Sequence, residues 1–537
     1  MPATEPNEWS SDKNDWSSKS SSIANLEGRF VMSAMGVGLV VYILFFFIVG
    51  IGMYYLVQKS GKRYIIAGKS LPFFLVGTML LAQGLDANAT MGNAAGVYGG
   101  GFWAGFQFAI GLALCLMVVG IWYAKPLNRM NLLTLPDFYF RRYNWFTEII
   151  TGLLMCFSFA ILVAGNFAGA GWIVSIIFKI DYVWALIIVA LFIFIYTVSG
   201  GLYSCAATDI VQIYPAMVGF IGAFFYLLAT YGWGHFSAAI PDNFVDLSGL
   251  YSIKNGALLN WAGILALGIG DVVALDFMER IFASRTPEIA QKSCFYGAVG
   301  IVITGIVCSY MGLMGLTFFP EIADPRMILP TIALDMVPYV FGLLILGGII
   351  AAGASTADGG ILGVSAVLGR NILQRNILLP LERRRRELKR GVGQKVSDEQ
   401  AKLISDRKLL IIARIMAIPV VALAIFLAII KPEPGILLVL AFDVVFAGCL
   451  VPLTLGIYWK KANTPGALAA VFVGSILRLI LFYQIPEHLA GLDTLIPPVV
   501  SLIVMVPVSL LTQEKYPAKH HVIHEIPDDL DVLEARA

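Results

Sequence analysis

The sequence predicts an all-α polytopic membrane protein of about thirteen transmembrane helices, built on a 5+5 inverted-repeat core with two broken helices. Three observations carry that prediction. Hydrophobic residues fill 58% of 537 positions and charged residues only 13%, against roughly 45–50% and 25% in soluble domains. The apolar residues gather in long blocks such as 32–56, 102–123, 182–199 and 409–430, with Arg414 the one charge among them; each block can cross about 30 Å of hydrocarbon as helix. Finally, two of the blocks are interrupted by glycine and polar residues at matching positions. Sustained period-two alternation is absent, and lipid does not tolerate irregular exposed backbone, so a helical bundle is the expected class.

In chain order, a polar, Ser-rich segment covers 1–31. It lacks the basic start, short apolar core and cleavage site of a signal peptide. An extra N-terminal helix is expected at 32–57. The first repeat occupies 72–232, with spans at 72–97, 102–124, 146–178, 182–199 and 203–232. The second occupies 258–458, with spans at 258–279, 289–318, 338–370, 409–430 and 435–458 and a basic loop at 373–408. Two extra helices, 464–484 and 493–513, fill 464–513, and a tail runs over 514–537.

Lys and Arg in the connecting segments set the orientation. Lys59, Lys62, Arg63 and Lys69 follow the first span, Lys125, Arg129, Arg141 and Arg142 the third, Arg280, Arg285 and Lys292 the seventh, and Lys460 and Lys461 the eleventh. Arg383 to Arg386 with Lys389 and Arg390 follow the ninth. The intervening loops hold mainly Asp242, Asp246, Glu321, Asp324, Glu487 and Asp493. The N-terminus is therefore expected outside the cell and the C-terminus in the cytoplasm. The arginine run reads as a topology signal, with anionic lipid as the other use. A net charge of +2 gives no reason to expect a nucleic acid partner.

The six cysteines, Cys115, Cys156, Cys205, Cys294, Cys308 and Cys449, are scattered through apolar blocks and read as small buried hydrophobes. His520, His521 and His524 read as part of the tail rather than as a metal site. There is no GxxxxGK[ST], H-E-x-x-H or G-x-S-x-G motif, so neither an ATP-driven pump nor a membrane enzyme is expected.

The middle of the second span carries Gln83, Gly84, Asp86, Asn88, Thr90, Gly92 and Asn93, and that of the seventh carries Gly268, Gly270, Asp271 and Asp276. Glycine weakens a helix and polar groups are costly in lipid. Paired interruptions in two five-helix halves point to an inverted repeat whose broken helices free carbonyls and amides for ions and solute. Close Gly-mediated packing explains the glycines alone, but not Asp86, Asn88 and Asn93 beside them. The ninth span adds Ser355 and Thr356, hydroxyls that suit a hard cation or back-bond to their own helix.

These residues resemble the sodium:solute symporter family over nearly the whole chain. Ala67-Gly68-Lys69-Ser70-Leu71-Pro72 looks like its GGRSLP motif, and Leu133-Thr134-Leu135-Pro136-Asp137-Phe138 like its TLPDY/F motif. Tyr196-Thr197-Val198-Ser199-Gly200-Gly201, followed by Thr208-Asp209 and Gln212, is similar to YT-x2-GG with TD-x-x-Q. Ala354-Ser355-Thr356-Ala357-Asp358 with Gly369-Arg370-Asn371 resembles the eighth core helix.

The resemblance implies the fold of the leucine transporter and a sodium ion held between the first and eighth core helices. Its ligands would be the carbonyls of Ala82, Leu85 and Ala352 and the hydroxyls of Ser355 and Thr356. Asp209 would serve coupling or a second cation. The layout is nearest the choline-transporter branch, yet Gly84 and Ala274 stand where that branch has cage tryptophans, which disfavours choline itself.

The expected function is sodium-coupled import of a small organic solute by alternating access, with sodium binding first and a single protomer sufficing. Gly84, Asp86, Asn88, Gly270 and Asp271 are the expected solute pocket. Asp86 either pairs with a cationic group of the solute, carries a proton or caps the second half of its broken helix. Tyr98, Trp103, Gln107, Asn166 and Trp172 are expected along the route. The alternatives are a proton-coupled transporter using Asp86 and Asp209, or a membrane solute sensor, for which the tail after Thr512 is short.

Overall fold

A computed structural model of the chain describes residues 34–381 and 398–518, with side chains over 398–405 excluded. The segment 1–31, the arginine run from Arg383 to Arg390 and the three tail histidines lie outside the described residues.

Helix α1 is Ala34–Gly52. The second expected span is a pair, α2 (Phe73–Gly84) and α3 (Ala87–Gly100). Then come α4 (Phe102–Val118), the short α5 (Pro136–Arg142), α6 (Trp145–Phe178), α7 (Tyr182–Gly200) and α8 (Leu202–Tyr231). The second broken span is α9 (Ala257–Gly268), a 3-10 turn Gly270–Val273 and α10 (Leu275–Ala283). It leads to α11 (Pro287–Phe318), α12 (Tyr339–Ala366) and α13 (Asp398–Ile430). A last bent pair, α14 (Pro434–Gly448) and α15 (Leu450–Tyr458), precedes α16 (Thr464–Gln484) and α17 (Leu492–Leu511). Among the described residues there is no strand beyond one bridge, Leu71 to Ser284.

Among the described residues ten helices are long and apolar enough to cross a membrane, or twelve if each of two pairs bent by 47° counts as one span. The sequence reading expected about thirteen. The difference is the α2–α3 pair, whose twelve-residue first half is too short and whose second half is too polar to qualify. The kink between α14 and α15 was not expected. Arg280, read from sequence as a loop cation, is instead buried inside α10.

Local chemistry starts the long helices. Asn144 accepts from the Thr147 amide at 2.8 Å, Thr286 from the Ile289 amide at 3.2 Å, and Asn463 from the Gly466 amide at 3.1 Å; each satisfies an otherwise orphaned N–H. Proline follows at Pro287 and Pro465, where its missing N–H costs nothing. Buried apolar residues form two clusters, and the chain passes between them at the α2–α3 break, Leu85 lying in one and Ala87 in the other.

Two features tie down the ends of the broken spans. The Leu71 amide donates to the Ala283 carbonyl and the Arg285 amide to the Leu71 carbonyl, both at 3.1 Å. The start of α2 is thereby stitched to the end of α10. Elsewhere, the two sequence motifs around Asp137 and Asn371 meet. Asp137 accepts from Asn371 Nδ2 at 2.9 Å and pairs with Arg375 at 2.6 Å and Arg370 at 3.2 Å. Glu148 receives Asn371 Nδ2 at 2.7 Å and also pairs with Arg375. All five residues are buried, so α5, the start of α6 and the π-helical continuation of α12, Val367–Leu378, form one charged clamp.

Candidate functional site

The first break is a capped one. After Gly84 the backbone leaves the helix at Leu85 (φ −116°, ψ 42°), and Asp86 is extended at φ −73°, ψ 172°. Asp86 Oδ1 accepts from the Ala89 amide at 2.6 Å, which starts α3. Its Oδ2 accepts from Asn166 Nδ2 at 2.8 Å and Asn88 Nδ2 at 3.1 Å. Asn166, on α6, also accepts the Ala87 amide at 3.2 Å. The capping role is thus realised, and both carboxylate oxygens are engaged. Asn93 bridges to α11, donating to the Gly305 carbonyl at 3.0 Å and accepting from Ser309 Oγ at 2.7 Å.

A second cluster joins α2, α8 and α12. Gln83 Nε2 donates to the Ser355 carbonyl at 2.8 Å and reaches Ser355 Oγ at 3.3 Å. Ser355 Oγ donates to Asp209 Oδ1 at 2.6 Å, and Thr356 Oγ1 to the Gln83 carbonyl at 3.4 Å. The Ala82 carbonyl keeps only a long bond from the Leu85 amide, 3.3 Å, at the fraying helix end. Ala82, Leu85, Ala352, Ser355, Thr356 and Asp209 are all buried. At Gly353 a side chain would meet Ala87 Cβ at 2.9 Å, so α12 lies directly against the start of α3. Oxygen donors from a helix break and two intact helices converge here, a donor set that suits a hard cation.

The expected solute pocket spans the two breaks. Asp86 and Asn88 share a hydrogen bond, and Asp271 lies near enough to Asp86 for the two carboxyls to interact electrostatically without a hydrogen bond between them. Asp271 is buried in the 3-10 turn and its Oδ1 has no hydrogen-bond partner. A Cβ on Gly84 would lie 2.1 Å from Ile301 Cδ1, and one on Gly270 2.6 Å from Phe446 Cβ. Both glycines therefore admit close helix packing, the plainer of the two sequence readings. All five pocket residues are buried, so the region is closed to solvent. Of the expected route residues, Asn166 is in the site. Trp103 Nε1 bonds the Asp246 carbonyl and Tyr98 the Phe319 carbonyl, both at helix ends.

Sequence reasoning assigned three participants no role in the site, although all three stand in stretches it singled out. Gln83 is a lone amide beside a glycine in an apolar helix, a signal that was present. Asp358 accepts from Tyr196 Oη at 2.9 Å. Arg280, fully buried, donates to the Asp276 carbonyl at 3.1 Å and lies against Gly359 beside Gln83 Oε1.

A multi-pass bundle with two interrupted spans and an oxygen-rich cluster at one break has the architecture of a secondary transporter. The model of the sodium:solute symporter family matches residues 64–390 and 396–474, and the chain belongs to that family. It is a transporter, and its function is sodium-coupled import of a solute. It is similar to human high affinity choline transporter 1, 27% identical over 476 residues covering 82% of this chain and 76% of that one. It also resembles the sodium/proline symporter of Staphylococcus aureus (strain bovine RF122 / ET3-1), 26% identical over 507 residues, 89% and 93% of the two chains. Among solved structures, a substrate-bound, outward-open Na+-coupled sialic acid symporter superposes with a TM-score of 0.66 at 17% identity, covering 90% and 98% of the chains. At that identity the likeness speaks for the fold.

Proposed function

We propose that this symporter holds sodium with the carbonyls of Ala82, Leu85 and Ala352 and the hydroxyls of Ser355 and Thr356, and that Asp209 couples that site to the rest of the cycle. The observation that carries this reading is the chain Gln83–Ser355–Asp209, in which one serine touches both the broken helix and α8. Sodium binding first would replace the Ser355–Asp209 and Thr356–Gln83 contacts by coordination, tighten the frayed end of α2 and shape the solute space beside it.

The solute, a small organic molecule, is placed between the two breaks, at Asp86, Asn88 and Asp271 and the backbone of Gly84 and Gly270. The partnerless Asp271 Oδ1 supports a contact with a hydrogen-bond donor such as an amino group. Residues 72–232 and 258–458 form the two inverted repeats, one protomer suffices for transport, and the basic loops put the N-terminus outside and the C-terminus in the cytoplasm. One sodium moving down 100 mV yields about 2.3 kcal/mol and a tenfold concentration ratio about 1.4 kcal/mol. Together these sustain a gradient of roughly several hundredfold for a neutral solute.

The test is uptake of labelled amino acids, carboxylates, ureides, amines and sugars into proteoliposomes under an inward sodium gradient. Sodium-dependent uptake of one class, with its sodium affinity set by Ser355 and Thr356, is the expected result. Uptake driven equally by a proton gradient without sodium would overturn the ion-site assignment and leave Asp86 and Asp209 as the coupling groups.

A further inference from the structure

A cavity of about 970 Å³ opens on the flank of the bundle between α2, α8 and α11, and no step of transport described above uses it. Its size lies at the upper end of the range for small-molecule pockets. One wall is a single face of α11: Lys292, Tyr296, Val299 and Ile303 fall at i, i+4, i+7 and i+11. That face runs about 16 Å along the helix axis, half the hydrocarbon thickness of a bilayer. The opposite wall is Tyr214, Val218 and Ile221 of α8, and Phe341 closes the far end.

The mouth faces lipid rather than water. Val218 is 57% exposed and Val299 61% exposed, and both belong to helices long and apolar enough to cross a membrane. Water is a poor occupant, because a buried water needs two to four polar partners. The hydroxyls in this wall are already paired, Tyr214 with Thr78 at 2.6 Å and with Tyr296 at 2.9 Å. Among the described residues Lys292 is the only charged one lining the cavity. It is exposed and makes no ion pair among the described residues. It stands in the first turns of α11, next to the basic segment with Arg285 that topology assigns to the cytoplasmic leaflet, where anionic lipids concentrate.

We propose that this cavity is a binding site for one anionic phospholipid, with an acyl chain lying along α11 and α8 and the phosphate on Lys292. The chain also touches Phe73 and Leu81 of α2. The lipid therefore braces the inner half of the broken helix against α8, one residue from Ala82.

The experiment uses the intact protein in proteoliposomes containing phosphatidylglycerol with a photoreactive acyl chain, followed by peptide mapping of the label. Label concentrated on the α8 and α11 face, around Val218, Val299 and Ile303, is expected. Label spread evenly over other lipid-facing helices, such as α7 and α13, would overturn the site. With phosphatidylcholine carrying the same chain, labelling of this face should fall roughly fivefold, the worth of one lysine at an anionic surface. Lys292→Gln should erase that difference, and its persistence in the variant would overturn the headgroup assignment. Val218→Trp, at a position already open to lipid, should displace both lipids from the cavity; undiminished labelling of Val299 and Ile303 would show that the chain lies elsewhere.

Discussion

Gln83, in the last turn before the α2–α3 break, donates its side-chain amide to the Ser355 carbonyl of α12 at 2.8 Å. A broken helix and an intact one are thereby joined at a point 272 residues apart in the chain. Ser355 passes the contact on to Asp209.

That relationship sets the first prediction. The Ser355→Ala, Thr356→Ala double variant should lose sodium stimulation of solute binding; because Ser355 Oγ also satisfies the buried Asp209 carboxyl, a melting curve of the variant separates loss of sodium from loss of fold. Gln83→Leu should weaken sodium by about tenfold, the value of one hydrogen bond to an organising group. Scintillation-proximity binding across a sodium titration reads both. Unchanged stimulation in the double variant would reject the ordered mechanism.

Asp86 gives a separable pair of substitutions. Asparagine retains an oxygen for the Ala89 amide, whereas alanine removes the cap at about 1 kcal/mol and leaves the Asn88 and Asn166 amides only the Leu162 carbonyl as acceptor. Asp86→Ala should therefore lower the unfolding temperature more than Asp86→Asn. If Asp86→Asn also abolishes uptake at an unchanged melting temperature, the carboxylate charge itself contacts ion or solute.

The clamp around Asp137 makes a pH prediction. Burial pushes the Asp137 carboxyl up, but the guanidiniums of Arg370 and Arg375 more than reverse this and hold it well below its ordinary value. A carboxyl depressed in the folded state adds stability above its unfolded pKa, near 4, and loses it as pH falls toward the folded value. Asp137→Asn should therefore cost stability across about pH 5–8, and by about 3–5 kcal/mol for a broken buried pair. The gap between wild type and variant should narrow only below about pH 4. Thermal unfolding followed by intrinsic fluorescence would measure it. A gap that shrinks already at neutral pH would contradict the depressed carboxyl.

Arg478 links the last two helices to the core. It pairs with Asp443 of α14 at 2.7 Å and Asp493 of α17 at 3.1 Å, almost wholly buried. Arg478→Leu leaves two carboxylates without a cation and should cost about 3–5 kcal/mol. The triple change with Asp443→Leu and Asp493→Leu should recover most of that. Detergent melting curves of the three proteins decide it, and a triple variant no more stable than Arg478→Leu would count against the ion-pair account.

The membrane class, the helical architecture and the two interruptions were legible in the sequence because each is a local property. Hydrocarbon thickness sets span length, and the glycines clustered with Asp86 and with Asp271 marked the two breaks, although Gly165 beside Asn166 in α6 and Gly359 beside Asp358 in α12 leave their helices unbroken. Ser355 was also visible as a hydroxyl in an apolar span, and Asp137, Asp209 and Asn371 through motifs that resemble the family's. Which of them meet was not. Only the packing of α2 on α12 brought Gln83 to Ser355, and only the fold of α10 into the bundle turned Arg280 from a loop cation into a buried one. Gly84 and Gly270 looked like pocket residues, yet Ile301 and Phe446, distant in sequence, fill the space beside them. By itself the sequence determined roughly how far most segments reach and where the two polar breaks fall, since those follow from period, length and composition, but not the apolar kink between α14 and α15. Tertiary structure decided which polar groups satisfy one another, because a buried hydrogen bond depends on the partner that the fold delivers.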